Sequence, residues 1–140
     1  NITSSKEDRI SIASAALEKA ISMLQSNGQF SVSSDSPYGT PGGLYAQMAE
    51  FDRLTNQTKY KEQLKGCFKL AESVNSNFLS NPNYGYAAAR AYTAYQDPDF
   101  LDLAITSWTS VRRYTISDEQ ATSGTTEAKQ FNLSSSCGSE

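Results

Sequence analysis

Apolar residues in this chain recur at helical spacing, and no stretch alternates in the way a half-buried strand requires. Ile10, Ala13, Leu17, Ala20, Ile21 and Leu24 fall on one stripe, so a first helix is predicted from about Lys6 to Ser26. Ser5 caps it, Asp8 favours its positive end, and Asn27-Gly28 stops it. The Ser/Gly/Pro-rich stretch Ser31 to Gly43 reads as loop, and Pro41 opens a second helix carrying Leu44, Met48, Phe51 and Leu54 on one face. Thr58 is the expected cap of a third helix, with Tyr60, Leu64, Cys67 or Phe68, Ala71 and Val74 facing inward. A fourth helix, Tyr84 to Tyr95, is rich in small residues (Gly85, Ala87 to Ala89), which predicts close packing against a neighbour. Asp97-Pro98 has the form of a cap followed by proline at the first helical position. The helix it opens carries Phe100, Leu101, Ala104, Trp108 and Val111 inward and ends at Arg112-Arg113. After Ser117, "SDEQATSG" is at most one short capped helix, and 117–140 reads as a linker-like tail. The fold class is therefore all-α, in a single domain.

The helices also repeat. Tyr60, Leu64 and Phe68 return forty positions later as Phe100, Ala104 and Trp108, each set preceded by a small-residue helix and a short polar turn. A helix hairpin repeated at this period is the mark of stacked α/α units, which bury their inner faces only against neighbours.

Composition narrows the function classes. The 140 residues contain no histidine, which excludes Ser-His-Asp and Cys-His catalysis and His-bound metals within them; no metal or cofactor is expected. The net charge of -3 and the scattered basic residues argue against nucleic acid. No apolar run approaches the roughly 20 residues of a membrane span. A start at Asn1 without a leader suggests a processed chain. Three sequons, at Asn1, Asn56 and Asn132, together with two cysteines, point to a secreted eukaryotic glycoprotein. Cys67 and Cys137 either close one disulfide, worth roughly 4 kcal/mol in the chain-entropy model, or one of them pairs with a partner chain.

"YGTPGGLYAQMAEFDRLTNQTKY" and "NYGYAAARAYTAYQDPDFLDLAITSWTSVRRYTIS" resemble fungal secreted proteins of glycoside hydrolase family 76, the α-1,6-mannanase-like family. The resemblance runs from the first helix to Cys137 and is most specific at residues 89 to 104. It implies an (α/α)6 toroid of six helix hairpins, of which this chain holds about two and a half, and a mannan-type carbohydrate as ligand. Active members carry an adjacent Asp-Asp pair in the loop before the helix that begins here near Tyr84. The matching stretch, Ser76 to Tyr84, contains no acid, and retaining hydrolysis needs two carboxyl groups roughly 5 to 5.5 Å apart. No catalytic residue carries over. The family would also continue past Cys137-Gly138, so a C-terminal chain of the same precursor or a second copy is the expected partner.

The remaining acids read as punctuation. Asp97 caps, Asp99 and Asp102 lie in the first turn, Asp118 and Glu119 do the same after Ser117, and Asp35 sits in a Ser-Asp-Ser turn. Aromatic faces at Tyr38, Tyr84 and Tyr86 are the candidate sugar contacts, while Trp108 reads as core. Three functions remain: a carbohydrate-binding or otherwise non-catalytic family-76-like protein, an active α-mannan hydrolase completed by a second chain, and an inert proteolytic fragment.

Overall fold

The computed structural model describes residues 3–31 and 40–124. They form six α-helices and one 3-10 turn, with no strand among the described residues: α1 (Lys6–Ile21), α2 (Thr40–Thr55), α3 (Lys61–Val74), the 3-10 turn (Phe78–Ser80), α4 (Pro82–Tyr95), α5 (Pro98–Arg112) and α6 (Asp118–Ser123). The all-α hairpin architecture is thus present.

Local chemistry sets most boundaries. Ser5 accepts the Asp8 amide at 3.0 Å, Asp97 accepts that of Asp99 at 3.1 Å, and Ser117 with Gln120 forms a reciprocal capping box. α1 ends five residues short of Ser26. There the chain folds back, with the Gln25 amide on the Gln29 carbonyl at 2.8 Å, an antiparallel bridge between Leu24 and Phe30, and Gly28 at φ 74°. Leu24 keeps the apolar stripe but reaches the core through this turn. α4 starts earlier than expected, at Pro82, because Asn81 caps it by accepting the Asn83 amide at 2.9 Å.

α3 is capped over a distance. Its first amides lack a local side-chain acceptor, and Asp52, in the last turns of α2, accepts the Tyr60 amide at 2.7 Å instead of Thr58. The same oxygen, Oδ2, accepts the Tyr95 hydroxyl at 2.8 Å, so one buried carboxylate ties α2, the start of α3 and the end of α4. Its other oxygen has no hydrogen-bond partner among the described residues.

α2 packs along α4 and α4 along α5, with α1 across α2 and α3 on the outside. Small residues allow the close approaches. A Cβ on Gly42 would lie 2.8 Å from the Asn83 carbonyl carbon, and one on Gly85 would lie 2.5 Å from the Ser107 Cβ and collide with its hydroxyl. That hydroxyl is committed, donating to the Leu79 carbonyl at 2.7 Å. Between the hairpins runs a chain of rings: Tyr45 meets Phe68 at 5.6 Å and Tyr84 at 5.9 Å, Phe78 meets Tyr84 at 5.3 Å, and Phe68 meets Phe100 at 6.0 Å. Such tilted and edge contacts each add about 0.5–1.5 kcal/mol beyond burial.

The forty-residue period is written into the backbone as well. α2 and α4 both end in a left-handed non-glycine residue, Asn56 at φ 55° and Gln96 at φ 51°, forty positions apart. The repeat thus shows in the helix ends, although the two pairs are not packed alike: α5 lies close along α4, whereas α3 touches α2 at few places.

Two substitutions test this packing. Asp52→Ala strands the Tyr60 amide and the Tyr95 hydroxyl, and should cost about 2–4 kcal/mol in urea unfolding. Asp52→Asn, which keeps one acceptor oxygen, should cost less; a loss for Asp52→Ala near 0.5 kcal/mol, typical of surface changes, would contradict the role. Gly85→Ala should cost about 1–3 kcal/mol through overpacking, and Ser107→Gly in the same chain should recover part of it.

Candidate functional site

Of the residues expected to contact sugar, the two that are described, Tyr84 and Tyr86, point apart. Tyr84 is fully buried: its ring packs between Tyr45 and Phe78, and its hydroxyl accepts Gln29 Nε2 at 3.2 Å. It offers no face to a ligand, because the first turn of α4 points it into the hairpin interface. Tyr86, two residues on, points the other way and is exposed, with the Arg90 guanidinium 5.5 Å from its ring centre. Tyr38 lies outside the described residues, as do Asp35, Asn1, Asn132 and Cys137. Asn56 is exposed at the end of α2. Cys67 is buried and is the one cysteine among the described residues, so its pairing with Cys137 lies outside them; desolvation raises the pKa of its thiol. Trp108, expected in the core, is 62% exposed instead. The helical stripe that carries it is real, but no described element covers that end of α5.

The stretch where the resemblance places the catalytic acids is structural here. Phe78 fills the core, Ser80 Oγ donates to the Asn77 carbonyl at 2.8 Å, and Asn81 caps α4. The Asp cluster of α5 also has structural work. Asp97 Oδ2 lies 2.9 Å from both Lys61 and Lys65, and Lys65 reaches Asp99 at 2.8 Å. Sequence reading found the cap at Asp97 but not these lysines, whose approach depends on α3 and α5 being neighbours.

A cleft of about 350 Å³ opens between α3 and α5. Its rim carries Lys65, Lys69, Glu72, Asp99, Asp102 and Thr106; Phe68, Phe78, Phe100 and Leu103 form its base. The Lys65 ammonium also lies 5.9 Å from the Phe100 ring centre. Ammonium, carboxylate and hydroxyl groups over an apolar base offer both hydrogen-bond donors and acceptors to the cleft. A second, shallower groove of about 250 Å³ lies at the outer edge of α4 and α5, between Tyr86 and Trp108.

A general acid needs a carboxyl group whose pKa is raised. The carboxylates that depart from ordinary behaviour move the other way: hydrogen bonds from Lys61 and Lys65 hold Asp97 far below the usual range, Arg53 lowers Glu50, and Lys59 lowers Glu18. Lys65 is raised in turn, by Asp99 and then Asp97. Among the described residues no group of His, Cys, Asp and Glu could hold a metal ion. No helix among them is long and apolar enough to cross a membrane.

Comparison with known proteins returned no match, whether to a protein-family model, a curated protein or a solved structure.

The Asp97 contacts give a pH prediction. Its pKa is lower folded than unfolded, so its contribution is complete above about pH 4. It is lost as pH falls from there through the depressed folded value. Thermal unfolding of Asp97→Asn, which keeps the cap, should therefore show a lower Tm than the parent at neutral pH, with the two converging towards pH 2. A constant difference across that range would refute the assignment.

Proposed function

We propose that this chain is a helical-hairpin part of a secreted protein similar to glycoside hydrolase family 76, and that it binds a mannan-type carbohydrate without cleaving it. The observation that carries this reading is the α3/α5 cleft, a ring of charged and hydroxyl groups on a rigid aromatic base. Its volume suits one or two sugar units rather than a protein segment, and its groups offer both donors and acceptors to vicinal hydroxyls. The reading of the ligand class, the secreted location and the place of these hairpins in an (α/α)6 toroid rests on the resemblance. The non-catalytic part rests on the helix cap that stands where the family's acids would be.

Titration of the isotopically labelled chain with an α-1,6-linked mannooligosaccharide should shift the amide resonances of Lys65, Asp99 and Thr106. Lys65→Met, which keeps the apolar stem, should weaken binding roughly fivefold or more through the lost charge-assisted bonds. Absence of any shift at millimolar sugar removes the binding reading. Release of reducing ends from α-1,6-mannan favours the hydrolase instead.

A further inference from the structure

The groove at the outer edge of α4 and α5 has a buried counterpart one repeat earlier. Forty positions before Trp108 stands Phe68, 3% exposed; forty before Ala104 stands Leu64, fully buried. Forty before Ala89 stands Ala49, which is buried, whereas Ala89 is exposed. Phe68 is covered because the next hairpin lays Phe78 and Phe100 against it, at ring distances of 6.4 and 6.0 Å. Tyr45, which shares the α2–α3 face, is covered by Tyr84 of the same hairpin. The corresponding face of α4–α5 differs in detail, with Gly85 and Tyr86 where α2 has Tyr45 and Ala46, but it again forms an apolar groove beside a projecting aromatic. It leaves Tyr86, Ile105 and Trp108 each more than half exposed.

We propose that this edge seats a further α-helical hairpin of the same forty-residue design, from outside these 140 residues. The argument is continuity with an interface already present: α2–α3 offers this face to α4–α5, and α4–α5 offers its counterpart outward. Repeat units bury such faces only against the next unit. The occupant must bring aromatic side chains, as Phe78, Tyr84 and Phe100 do, on helices small enough at their crossing to approach closely. Residues 125–140 do not suffice, since α4 and α5 take 14 and 15 residues before any turn. Arg90 and Arg112 flank the groove, each over an exposed ring, so acidic residues on the rim of the occupant complement it.

Trp108 is the only tryptophan in the chain, so its fluorescence reads this face alone. The probe is a peptide of residues 76–113, the one hairpin known to cover such a face. Added to the full chain carrying Trp108, with the peptide's own tryptophan replaced by phenylalanine, it should shift the emission to the blue. Iodide quenching should fall roughly twofold or more as the ring leaves water. Ala89→Arg in the full chain, a change at an exposed helix position, should abolish both effects without altering the circular dichroism. No change on adding the peptide, once its circular dichroism shows it helical, overturns the proposal. So does a blue shift that grows with concentration of the chain alone, which assigns the face to a second copy. Emission already blue and unquenched in the dilute free chain assigns it to residues 125–140, and a shift with mannan alone assigns it to sugar.

Discussion

Asp52 Oδ2 accepts two hydrogen bonds, from the Tyr60 amide and the Tyr95 hydroxyl, and the arrangement of three helices follows from them. The carboxylate belongs to α2, the amide opens α3, and the hydroxyl closes α4. An acid buried at this depth is tolerated only with donors in place, so the helix ends are fixed relative to one another by the need to satisfy it. Burial and the adjacent carboxylate in turn push the Tyr95 hydroxyl far above its ordinary pKa, which keeps it a donor. With those ends fixed, the rings from Tyr45 to Phe100 can interdigitate. Outside them Tyr60 donates to Glu18 at 2.9 Å, and this brings α1 onto the same end of the bundle.

What could be read from the chain was local. Asp97-Pro98, Ser5 and the cap after Ser117 act within four residues of themselves, and each helix end they announce is present. The repeat was legible because Phe68 and Trp108 occupy the same place in successive units. The fates of those two residues were not legible, since burial depends on whether another hairpin follows. Tyr84 and Tyr86 illustrate the same limit at shorter range: both looked like junction aromatics, but a 200° turn about the helix axis separates them. Asp52 gave no sign at all. In "EFDRLTNQTKY" it looks like one more polar residue between apolar ones, and its partners lie 8 and 43 residues away.

The cleft between α3 and α5 was hidden for the same reason. Lys65 and Lys69 come from one helix, Asp99 and Asp102 from another, and only the stacking of two hairpins sets them around one base. The cap signature placed Asp97 correctly at the start of α5. It gave no hint that Asp99 would stand on the rim of a polar cleft, or that Asp97 would anchor α3. The cleft and the helix cap at Asn81 are the two features on which the proposed binding of carbohydrate rests.

The left-handed residues Asn56 and Gln96 mark where each unit turns, and they also give the molecule a direction. A stack of like units has no centre, so its stability varies along its length according to how many neighbours each unit has. Among the described residues the α2–α3 unit has neighbours on both sides, α1 and α4–α5, and the α4–α5 unit has one. With nothing further on that face, opening would start at the Trp108 end, where α5 has fewer neighbours than α2. The chain is a zipper that frays from one end, and whatever covers that end also sets how often it opens.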